Sequence, residues 1–124
     1  MLPNELRELL NDLDAAGVEC DGMARLITTR LQEAGIEHRV MVGEISLNEQ
    51  VMTPHFWVEV GDLTVDYRAR MWLGDSALVP HGVFRQETCA VRYVGDSVEM
   101  DALTPQVFAI LNTPPFNLKD MIGE

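Results

Sequence analysis

Residues 54–68 read PHFWVEVGDLTVDYR. Two alternating apolar runs flank Gly61-Asp62, a pair suited to a tight turn, so the segment reads as a β-hairpin. His55 stands near its start and Asp66 near its end. Antiparallel strands bring such ends together, because residues equidistant from the turn face each other. His55 lies six residues before Gly61 and Asp66 four after Asp62. The two are therefore not direct partners, and a one-residue bulge or a diagonal contact is needed to join them. Pro54 has no N–H for the ladder, so its strand is irregular or solvent-edged just before His55. Two readings stay open here: an ordinary polar pair at a sheet end, or two members of a catalytic set whose nucleophile lies elsewhere.

Working outward, valine-rich runs predict strands over His38–Leu47, Val51–Val60 and Leu63–Arg68, joined by short turns at Asn48-Glu49 and Gly61-Asp62. An antiparallel meander is the economical topology. Upstream, Leu6, Leu9, Leu10 and Leu13 recur at helical spacing, with Asn4 as expected N-cap and Gly17 as stop. A second helix should open at Cys20 or Asp21, since Met23, Leu26, Ile27, Leu31 and Ala34 form one apolar stripe that Gly35 terminates. The stretch 69–88 is expected to be loop, a short strand is expected over Ala90–Val94, and Thr104-Pro105 opens a last helix through Leu111, stopped by Pro114-Pro115. Helices before and after a small antiparallel sheet make a single α+β domain over 1–124.

Composition narrows the partners. Nine Lys and Arg against twenty Asp and Glu leave a net charge of −11, which repels nucleic-acid phosphates and anionic headgroups. No nucleic-acid partner is expected. The first seventeen residues carry four acids and one Arg without an unbroken apolar stretch, unlike a signal peptide, and no run is long enough to span a membrane. A cytoplasmic location, with Cys20 and Cys89 as free thiols, is the expectation.

Cys20 at a helix start, His55 on one strand and Asp66 on the next are the residue types of a thiol acyl-transfer site. A helix N-terminus and a nearby imidazolium both favour thiolate over thiol. A carboxylate on the second ring nitrogen fixes the imidazole's tautomer, and helix-start N–H groups face an oxyanion.

In order, Gly17, Cys20, Ala24, Gly35-Ile36, Arg39-Val40, Gly43, His55, Trp57-Val58-Glu59 and Asp66 resemble the core of the transglutaminase-like superfamily of papain-type cysteine enzymes. The resemblance runs through GVECDGMARLITTRLQEAGIEHRVMVGEI, HFWVEV and LTVDYR, about half the chain. It implies a papain-like core in which a nucleophile helix packs on a small antiparallel sheet, with Cys20 as nucleophile, His55 as base and Asp66 as orienting acid. It also implies attack on an amide or thioester bond through an acyl-cysteine, in a peptide, protein or small amide substrate, with peptidase or amidase chemistry preferred. Neither metal nor organic cofactor is required. The alternative is a catalytically inactive binding or assembly module on the same scaffold. For a second oxyanion donor, Asn11, or the Cys20 amide alone, remains.

Around the triad, Arg68, Arg70, Trp57 and Trp72 are the candidate substrate-binding residues. The two arginines can clamp a carboxylate or stack on a planar group, and can equally pair with surface acids. Trp57 shares a strand face with His55 and Glu59, as a cleft wall or as core. Cys89, His38 and His81 lie in no motif, and Cys89 reads as a buried small hydrophobe.

Overall fold

The computed structural model describes residues 2–114. It is an α+β structure: α1 (Pro3–Leu10), α2 (Cys20–Glu33), β1 (Arg39–Leu47), β2 (Gln50–Val60), β3 (Leu63–Asp66), α3 (Ala69–Leu73), β4 (Gly82–Phe84), β5 (Arg92–Val98) and α4 (Pro105–Leu111). The five strands form one antiparallel sheet in the order β4-β3-β2-β1-β5.

Local chemistry explains most boundaries. Helix α2 buries Met23, Leu26, Ile27 and Leu31 along one stripe, and Gly35 at φ +70 lets the Ile36 N–H return to the Leu31 carbonyl at 2.9 Å. Ala34, expected to extend the stripe, is exposed. Helix α4 starts as expected: the Thr104 hydroxyl accepts from the Val107 N–H at 3.3 Å, with Pro105 in the first turn. It ends at Leu111; Pro114 follows, and Pro115 lies outside the described residues.

Helix α1 departs from expectation. It begins at Pro3, one residue before the expected cap, because proline already has the helical φ and no N–H to satisfy. Asn4 instead accepts from Arg7 Nη1 at 2.8 Å, while Glu5 accepts from the Leu2 N–H at 3.2 Å. The helix also stops at Leu10, before Gly17, and tightens into a 3-10 turn over Asn11–Ala15 that still buries Leu13.

The stretch 69–88 is not a plain loop. It holds α3, the edge strand β4 and a 3-10 turn at Gln86–Thr88, pieces of three to five residues that are too short to show a hydrophobic period. The last strand, expected over Ala90–Val94, is β5, which lies later and crosses to the far side of β1. There Gly43 and Gly95 face each other. A Cβ on Gly95 would sit 2.9 Å from Trp57 Cη2, so the bare backbone makes room for that ring.

Two apolar clusters sandwich the sheet. One joins Leu6, Leu10, Leu13, Leu26 and Ile27 to Val40, Val58 and Val65; the other joins Met41, Ile45 and Trp57 to Ala69, Leu73 and Val79. Strand β2 serves both, Val58 and Val60 on one side and Trp57 on the other, as the two-residue period of a doubly covered strand requires. Among the described residues no helix is long and apolar enough to cross a membrane.

Candidate active site

A diagonal contact across a regular β2–β3 ladder brings His55 to Asp66, and the bulge lies on the other side of β2. In the β1–β2 ladder Gly43 faces His55 but Ile45 faces Met52, so Thr53 and Pro54 together stand opposite Glu44. This is a β-bulge, set where Pro54 offers no N–H, and it re-aims the residue that follows. In the β2–β3 ladder Val58 faces Val65. Continuing that register puts Trp57 opposite Asp66 and His55 on its diagonal. His55 Nε2 lies 2.7 Å from Asp66 Oδ2, with His55 wholly buried and Asp66 at 3% exposure.

Asp66 is bound on both oxygens. The Tyr93 hydroxyl donates to Oδ2 at 2.8 Å, and the Arg68 backbone N–H donates to Oδ1 at 2.9 Å. Two other donors already point at it, so the carboxylate accepts, and the His55 proton facing it sits on Nε2. Nδ1 is buried without a hydrogen-bond partner. Burial by itself pushes the imidazole pKa down; the hydrogen bond to Asp66, then the neighbouring Cys20 sulfur and both their charges, outweigh it. The result is a pKa raised from 6.5 to about 9.

Cys20 is the first residue of α2 and 8% exposed. Its surroundings are Met23, Ala24, Ile27, Phe56 and Asp66, around a seam too narrow to admit water. Ahead in the helix, the Gly22 N–H bonds the Asp21 carboxylate at 2.8 Å and the Met23 N–H bonds the Glu19 carbonyl at 2.9 Å. The N–H groups of Cys20 and Asp21 have no partner among the described residues, as the first N–H groups of a helix lack intrahelical acceptors. Asn11, the other candidate donor, turns its Oδ1 to the Tyr67 hydroxyl and accepts from it at 2.6 Å.

The expectation that Arg68 clamps a substrate carboxylate is corrected by its bonding. Arg68 is 7% exposed. Nε donates to the Val18 carbonyl, Nη1 to Asp14 Oδ1 and the Tyr67 carbonyl, and Nη2 to the carbonyls of Asp14 and Ala16. These engage all five guanidinium N–H groups. Arg68 thus ties the loop that leads into Cys20, while its backbone N–H holds the acid. Trp57, at 2% exposure, lies under the site as core: its ring stacks 6.3 Å from His55, and its Nε1 donates to Glu59 at 3.2 Å. Arg70 donates to the Val79 carbonyl at 2.9 Å and lies 3.5 Å from Asp75. Trp72, on α3, is 40% exposed.

Tyr93 is the site residue that sequence reasoning missed. It lies 27 positions from Asp66 in the chain, and no local pattern links them. Burial, and then the Asp66 charge, raise its pKa, so it remains a donor. Its ring meets Trp57 edge-on at 5.0 Å. Replacing Tyr93 with Phe keeps the ring and removes one donor from a buried carboxylate, which costs about 1–3 kcal/mol. The expected result is a lower urea midpoint together with an altered pH profile for Cys20 alkylation. An unchanged profile would show that the hydroxyl only supports the fold.

Cys89 is distinct in kind. Burial raises its pKa, and its Sγ lies 3.3 Å from the carbonyls of Gln86 and Val91. Among the described residues no group of three or more His, Cys, Asp and Glu is placed to hold a metal ion. No family model matches this chain, and neither a curated protein nor a solved structure matches it significantly.

Proposed function

We propose that this chain is a transglutaminase-like cysteine enzyme that cleaves an amide bond through an acyl-Cys20 intermediate. The observation that supports it most is the buried imidazole bonded to Asp66 on one nitrogen, with its other nitrogen unpartnered and Cys20 among the groups that raise its pKa. A histidine buried for structural reasons normally has both nitrogens satisfied.

In the proposed reaction the Cys20 sulfur attacks the carbonyl carbon as thiolate, and the C–S bond forms. Negative charge on the carbonyl oxygen meets the N–H groups of Cys20 and Asp21 at the α2 start. The oxyanion collapses, the C–N bond breaks, and the imidazolium passes its Nδ1 proton to the leaving amine. Water, deprotonated by the now neutral imidazole, then releases the acid and returns the thiol. Asp66 keeps the ring oriented and the imidazolium stabilised throughout.

One observation favours the second reading, a binding module on the same scaffold: the seam at Cys20 has no room for water until the surrounding residues move. Intact-mass analysis after brief exposure to p-nitrophenyl acetate separates the two. The enzyme reading expects one acetyl group on Cys20, released on longer incubation, and none on the Cys20→Ser variant. Acetylation spread over Cys20 and Cys89 alike, or a Cys20 adduct that never turns over, would leave the binding module.

A further inference from the structure

Beside the loop that carries the nucleophile runs an open groove of about 510 Å³, walled by Asp14, Ala15, Val18, Glu19, Tyr67 and Met71. Met71 is 51% exposed and Ala15 and Glu19 are open to solvent, so the groove has an accessible, partly apolar wall, and its Glu19 directly precedes Cys20 in the chain. Resting on the cysteine-enzyme reading above, we propose that the acyl donor is a cationic peptide amide lying along this groove, in preference to an anionic thioester.

Charge decides between those donors. Glu19 and Asp21 flank Cys20 directly in the chain, and both are exposed. Asp14 is already matched: Oδ1 meets Arg68 Nη1 at 2.7 Å and Oδ2 meets His81 Nε2 at 2.7 Å. Among the described residues Arg68 is the one cation lining the groove, and its N–H groups are all engaged within the protein. An incoming phosphate or carboxylate thus finds no free guanidinium there, and meets the exposed carboxylates of Glu19 in the groove and Asp21 beyond Cys20, with a net charge of −11. A lysine or arginine side chain meets the opposite situation, with its aliphatic stem against Val18 and Met71 and its charged end towards Glu19. Cys20, which the acyl carbon must reach, follows Glu19 directly in the chain, and buried His55, with Nδ1 unpartnered, has Cys20 among the groups that raise its pKa.

Protection of Cys20 tests this without requiring turnover. The full chain is alkylated with iodoacetamide in the presence of N-acetyl-leucyl-lysine amide, of N-acetyl-leucyl-glutamate amide, or of an acetyl thioester bearing phosphate groups. The lysine peptide is expected to halve the Cys20 rate at a concentration about fivefold or more below that of either anion, as two exposed charge pairs allow. Added salt narrows the gap, and Glu19→Lys, an exposed change outside the catalytic set, closes or inverts it. Equal protection by the three compounds, or stronger protection by an anion, with alkylation still dependent on His55, overturns the substrate class alone. Alkylation that ignores His55 overturns the cysteine-enzyme reading, and this inference with it.

Discussion

Replacing His55 with glutamine should slow iodoacetamide alkylation of Cys20 at neutral pH by about 10- to 100-fold, since a thiol without a cationic partner is only a few per cent thiolate there. Glutamine is the informative substitution because its amide can still donate to Asp66, so the buried carboxylate keeps a partner. Cys89 is the internal control: burial holds its thiol protonated, and its rate should not change. The same variant carries a stability signature whose sign follows from the shift. The folded pKa of His55, about 9, lies above the ordinary 6.5, so the folded protein binds this proton more tightly than the unfolded chain. The stabilisation is complete below about pH 6.5 and is lost as pH rises through about 9. Urea midpoints of the wild type should therefore fall across that window relative to those of His55→Gln. Parallel curves would mean that the imidazole is not held as a cation between Asp66 and Cys20.

Arg68→Met is expected to be the most destabilising single change near the site, by about 3–5 kcal/mol, the range for removing one member of a buried charged network. It leaves the carbonyls of Asp14, Ala16, Tyr67 and Val18 without the donor that joins them. Arg68→Lys should recover only part of this, because an ammonium has three donors on a single point and cannot match the planar fork. Beyond stability, proteolytic cutting should concentrate within 14–18, the loop released by the substitution. Urea unfolding of both variants, with mapping of the first cleavage, provides the check. A lysine variant as stable as the wild type would remove the fork from the account.

Arg68 also marks the limit of what the sequence reveals. Beside Tyr67, Arg70 and Trp72 in an acidic chain, it invites assignment to a substrate, and nothing nearby in sequence reveals acceptors that come from Asp14, Ala16 and Val18, about fifty residues earlier. Tyr93 was missed for the same reason. Strand β5 has little apolar alternation to announce its neighbour, and only its pairing with β1 brings Tyr93 over Asp66. Asn11 shows the converse: it is a chemically suitable oxyanion donor that the fold directs to Tyr67.

By itself the sequence determined the elements whose signals are local. The Met23 to Leu31 stripe with Gly35 sets α2, Thr104-Pro105 starts α4, and Gly61-Asp62 between alternating runs sets the hairpin, so Cys20 at a helix start and His55 and Asp66 on adjacent strands were legible. Counting residues left a bulge or a diagonal contact open, and the regular β2–β3 ladder uses the diagonal; the missing N–H of Pro54 pointed to the irregularity that β2 shows against β1. Tertiary structure alone decided which groups hold the acid, which loop Arg68 anchors, and how closed the seam around the thiol is. Helical and turn propensities act over a few residues, whereas the partner of a buried polar group is whichever donor or acceptor the packed chain places within about 3 Å, at any separation in sequence.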